Sequence, residues 1–107
     1  MKIKLENREY ELNANGRFML KYQDTFKENM MIALYKGMSE KDSLACAKLT
    51  YCAINEEMPF DEWLDSFETP TFIFPEMERI FEYLIRDVEP TVKPTEKEDN
   101  SKKKETN

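Results

Sequence analysis

Between Leu44 and Ile54 the chain reads Leu-Ala-Cys-Ala-Lys-Leu-Thr-Tyr-Cys-Ala-Ile, with Lys48 its single charge, in a protein where 36% of residues are charged. Glycine and proline are absent from this stretch, and alanine and leucine favour helix. Leu44, Ala47, Tyr51 and Ile54 line one helical face, and Ala45, Leu49 and Cys52 cover the neighbouring one. A helix apolar over so much of its circumference must be packed from more than one side. The stretch therefore predicts a central core helix. Ser39 and Asp42 compete as its N-cap, and Asn55-Glu56-Glu57 ends it.

A chain of 107 residues suits one domain. From Glu89 to Asn107 the only aliphatic residue is Val92, among charges, threonines and prolines. This divides the chain into a folded domain, 1–88, and a charged tail, 89–107, expected to be disordered. The tail's acids and bases balance, so the net charge of −6 belongs to the folded part. An acidic body argues against nucleic acid or an anionic membrane as partner, because phosphate binding needs a basic face. No apolar run approaches the ~20 residues that span a bilayer. Met1-Lys2-Ile3-Lys4 leads straight into alternating charge without a signal-peptide pattern, so a cytosolic protein is expected. Cys46 and Cys52 fall on different faces of one helix, and buried reduced thiols are expected there.

Around the central helix, the alternation from Lys2 to Leu12 predicts a hairpin. A loop at Asn7-Arg8 would pair Glu6 with Glu9, Leu5 with Tyr10 and Ile3 with Leu12, placing the four apolar residues on one face. Asn13 or Asn15 can then cap a helix with Phe18, Met19, Tyr22, Phe26 and Met30 at helical spacing. That helix either runs on to Lys36 or breaks near Glu28-Asn29, with Gly37 as the C-cap. A short helix around Pro59 presents Phe60, Trp63, Leu64 and Phe67 inward. Phe72-Ile73-Phe74 is either extended or a lead-in to the last helix. After Pro75 that helix turns Met77, Ile80, Phe81, Leu84, Ile85 and Val88 inward, and Glu76, Glu78, Arg79, Glu82, Arg86 and Asp87 outward. Pro90 ends it. The fold class is mainly α: four to five helices with an N-terminal β-hairpin, and Trp63 and Phe81 as core anchors.

Chemistry finds little purchase. With no histidine, Ser/His and Cys/His catalysis is excluded. Two glycines cannot build a phosphate-cradling loop, and two cysteines on one helix leave zinc without four ligands. The acids from Glu56 to Glu68 read as helix-end charges on a solvated face. No catalytic, cofactor or metal site is expected, and an enzyme is not. Binding is better supported, because Met30-Met31-Ile32-Ala33-Leu34-Tyr35 holds more apolar side chains than one buried stripe accommodates. Methionine suits surfaces that adapt to a partner. The candidate partner-binding residues are Met30, Met31, Leu34, Tyr35 and Met38.

The order of elements is distinctive. Lys2-Ile3-Lys4-Leu5-x4-Tyr10-x-Leu12 is followed by Asn15-Gly16-Arg17-Phe18 and Asp24-x-Phe26. Then come the alanine-rich helix, Pro59-Phe60-Asp61-Glu62-Trp63-Leu64-Asp65, the amphipathic helix and Ser101-Lys102-Lys103-Lys104. This resembles the tail assembly chaperones of long-tailed, siphovirus-type bacteriophages and prophages of Gram-positive bacteria. The resemblance implies an assembly factor in the cytoplasm of the bacterial host, absent from the mature virion. It implies binding to the tape measure protein and tail-tube protein, and a longer form made by ribosomal frameshifting near the lysine run; self-association into a homo-oligomer is instead the other use that the surplus apolar run Met30 to Tyr35 allows. The resemblance transfers no binding residue. Two rival readings are an acidic, nucleic-acid-mimicking inhibitor of a host protein and a small head–tail joining structural protein.

Overall fold

The computed structural model describes residues 1–86. Val88, Pro90, the 88/89 boundary, the tail's disorder and the lysine run lie outside the described residues. Strands β1 (Lys2–Leu5) and β2 (Arg8–Glu11) form an antiparallel hairpin, and five α-helices follow: α1 (Gly16–Phe26), α2 (Met30–Ser39), α3 (Ser43–Ala53), α4 (Phe60–Asp65) and α5 (Met77–Leu84). A 3₁₀ turn, Phe74–Glu76, leads into α5. The protein is mainly α, as its sequence predicts.

Helix α3 is the hub. It packs against α1, α2 and α5, and Ala45, Cys46, Ala47, Leu49, Thr50, Tyr51, Cys52 and Ala53 are all buried. Leu44 is the exception: at the first turn it is half exposed rather than on the inner face. Of the two rival caps Asp42 is used, its Oδ1 accepting from the backbone N–H of Leu44 (3.0 Å) and Ala45 (3.2 Å). Asn55, at φ 58°, turns the chain away after α3.

Helices α1 and α2 are separate. Asn15 caps α1 by accepting from Arg17 N–H, and Asn29 caps α2 by accepting from Met31 N–H at 2.7 Å. Lys27 takes a left-handed φ of 58° between them. In α1 Phe18 and Tyr22 are buried, whereas Met19, expected in the inner stripe, is exposed. Gly37 is not the C-cap expected. It lies inside α2, buried beneath the ring of Phe81, and Glu40 caps the helix end.

The hairpin register also differs from expectation. Leu5 pairs with Arg8 and Ile3 with Tyr10, so the loop is Glu6-Asn7. Glu6 adopts φ 57°, and its carboxylate accepts from the N–H groups of Glu68 and Thr69 and the Thr69 hydroxyl, at 3.0–3.2 Å. That tertiary clasp holds a residue that sequence rules would not place at positive φ. The shift is two residues, so Ile3, Leu5, Tyr10 and Leu12 still share a face, and Ile3, Leu5 and Leu12 are in the core.

Glu76, expected outside, is buried. Its carboxylate accepts from Lys4 N–H (2.9 Å) and pairs with Arg79 (2.6 Å), whose other nitrogen donates to Lys2 O (3.1 Å). The two side chains occupy the free edge of β1 in place of a third strand. Phe72-Ile73-Phe74 is not extended but the lead-in to α5: a turn through Ile73 passes into the 3₁₀ helix that starts at Phe74. Phe72 stacks on Phe67 at 4.0 Å, Ile73 enters the core, and Phe74 opens the 3₁₀ turn with its ring exposed.

Candidate partner-binding surface

The six apolar residues at the start of α2 divide by helical phase. Ala33, Leu34 and Gly37 face α3 and α5 and are buried. Met31 (58% exposed), Tyr35 (62%) and Met38 (41%) form an outer stripe at i, i+4, i+7. Ile32, three residues before Tyr35, is exposed beside this stripe, and Met30 is half-buried against the core. Of the five candidates, Met31, Tyr35 and Met38 are thus surface residues brought together, Met30 is at the edge, and Leu34 is corrected to a core residue. It lies close in phase to Gly37, where the helix meets its neighbours.

Met38 also lines a groove of about 620 Å³ between the end of α2 and α5. Its apolar lining continues through Phe74, Met77, Phe81 and Ile85, and Lys41, Glu78 and Glu82 stand at its rim. Phe81 sits low in this groove because Gly37 offers no side chain: a Cβ at 37 would lie 2.0 Å from Phe81 Cζ. Sequence reasoning missed the groove. Phe74 was open to discovery, since three consecutive apolar residues ending in Pro75 cannot all point inward. Met77, Phe81 and Ile85 read simply as the inner stripe of α5, and nothing local says that α2 stops short of covering them.

The chemistry of the described residues is quiet. Burial pushes the thiol of Cys46 up to about 12 and that of Cys52 to about 11, so both stay protonated at neutral pH. Tyr22 is buried, donates to Glu28 Oε2 at 2.6 Å, and has its phenol raised far above the ordinary value, chiefly by desolvation. Among the described residues no group of three or more Cys, Asp or Glu side chains is placed to hold a metal ion, and no helix is long and apolar enough to cross a membrane. Set against known protein families, curated proteins and solved structures, the chain matches none.

Proposed function

We propose that this protein is a phage tail assembly chaperone. It works in the cytoplasm of a bacterial host, binds the long apolar helices of a tape measure protein, assists assembly of the tail-tube protein around them, and is left out of the finished particle. The observation that carries the reading is the outer stripe of α2: Met31, Tyr35 and Met38, large, apolar and exposed in one row. Rows at i, i+4, i+7 suit contact with another helix, and methionine adapts to varied side chains along a long partner. The order of sequence elements that resembles the chaperone family supplies the identity of that partner.

Co-expression with the tape measure protein from the same phage or prophage tests the proposal. The full chain is expected to keep the tape measure soluble and to co-purify with it. Met31→Glu and Tyr35→Glu, tested singly, are expected to lower recovery about tenfold with an unchanged melting temperature. Recovery should persist at high salt, where a nucleic-acid mimic would release its target. No co-purification, or full binding by both variants, overturns the assignment.

A further inference from the structure

We propose that the groove between α2 and α5 seats a single amphipathic helix of a partner protein, with basic residues along its α5 edge and an acidic residue opposite Lys41. This deepens the chaperone reading and rests on it only in taking the partner to be a protein. Met77, Phe81 and Ile85 follow one another at intervals of four from the first residue of α5 to its C-cap, a row into which the side chains of another helix fit. Met38 closes the opposite side. The walls are side chains projecting from helices whose own backbone groups are bonded internally. An extended segment lying there would leave its N–H and C=O groups unpaired, whereas a helix satisfies its own. Strand addition at β1 is blocked as well, because Glu76 and Arg79 already take the Lys4 N–H and Lys2 O.

The rim charges set the partner's polarity. Glu78 and Glu82 lie one turn apart on α5, both exposed, and Lys41 stands across the groove. Among the described residues none of these three makes an ion pair. Glu78 also suits the positive end of α5 as an acid in its first turn, but all three side chains are exposed and border the apolar groove. An acidic wall beside an apolar floor favours an occupant with lysine or arginine flanking its apolar stripe. The protein's own α2 stripe, with Lys36 beside it, is the competing occupant; against it, two copies of a chain of net charge −6 repel.

The test uses the full chain and three fluorescent helical peptides of about 14 residues, some 20 Å long as helices. One has a leucine and phenylalanine stripe flanked by lysines. A second replaces those lysines with glutamates, and a third scrambles the stripe. By anisotropy, the lysine peptide should bind, the glutamate peptide should bind about three- to tenfold more weakly at low salt, and the scrambled one should not bind. The gap between the first two should shrink as salt rises. The double variant Glu78→Lys, Glu82→Lys should reverse their order, and Met38→Glu should abolish both. Absence of binding, equal binding of the two charged peptides, or an order unchanged by charge reversal overturns the proposal. So does a dimer at the assay concentrations, by sedimentation, that Met38→Glu dissolves: the groove then belongs to a second copy. The peptides carry no tape measure sequence, so their failure removes the groove while co-expression separately judges the chaperone assignment.

Discussion

A methyl group at position 37 would stand 2.0 Å from Phe81 Cζ and 2.8–2.9 Å from the two flanking ring carbons. Those separations are inside van der Waals contact, so Gly37→Ala forces the ring towards the groove. Alanine gains about 1 kcal/mol in helix propensity, and overpacking costs about 1–3 kcal/mol. A net loss of stability is expected by urea unfolding, with partial recovery when Phe81→Leu shortens the opposing side chain. Gly16→Ala is the control, because nothing lies within 4 Å of its added methyl. If Gly37→Ala stabilises, the ring moves freely and the close packing is not required. Glu6 acts through charge instead. Hydrogen bonds from the loop, first that of Glu68 N–H, hold its carboxyl below the usual value of 4.5. A carboxylate depressed in the folded state stabilises above its unfolded pKa and loses that contribution as pH falls through the folded one. Glu6→Gln should therefore melt below the parent at pH 7, and the gap should narrow as pH falls below 4.5 and the carboxylate is protonated in the folded state as well. The N-terminal amine likewise depresses Glu11, so some acid sensitivity remains in the variant. A gap independent of pH would mean that the loop contacts do not depend on the Glu6 charge.

At the level of elements, capping separates the two candidates before α3. Asp42→Ala should cost about 1 kcal/mol, since two N–H groups lose their acceptor. Ser39→Ala should be near neutral, because Ser39 is the exposed last residue of α2. Equal losses in the two variants would remove the cap assignment. Helix α2 offers the sharper contrast: Leu34→Glu places a charge at a site 8% exposed and should unfold the domain, whereas Met31→Glu, at a site 58% exposed, should not. Circular dichroism on the two variants decides it. Such contrasts also mark what a sequence can convey. The spacing of Phe60, Trp63 and Phe67, or of Ile80 and Phe81, carries its own phase and was legible. Met30 to Tyr35 is apolar throughout and carries none. Its phase is set by Gly37 against Phe81, a contact between residues far apart in the chain. Register and the burial of Glu76 were hidden for the same reason, because the loop at Glu68-Thr69 holds Glu6 and the edge of β1 recruits Glu76. The groove, being a gap between two helices, follows from that same long-range packing.

Across the whole molecule, Trp63 joins what the chain order separates. It is fully buried. Around it stand the rings of Tyr10 from the hairpin (6.4 Å), Tyr51 from α3 (5.5 Å), Phe67 (5.1 Å) and Phe72 (5.8 Å). Its indole nitrogen lies 3.4 Å from the Tyr10 hydroxyl. Replacing it with alanine removes the common neighbour of the hairpin, α3 and the loop before α5, and should cost about 3–5 kcal/mol. A domain of this size holds only some 4–13 kcal/mol in total. The melting temperature should therefore fall by at least about 12 °C. Trp63→Phe keeps an aromatic ring there and loses volume and the indole nitrogen, so its drop should be clearly smaller. The hairpin is marginal by itself and is stabilised through this cluster. Hydrogen exchange at its amides should then accelerate together with that of α3 in Trp63→Ala, as one cooperative unit requires. Hairpin amides that open while α3 stays protected would show two units rather than one. A small change in melting temperature accompanied by loss of tape measure binding would move Trp63 out of the core and into the interface.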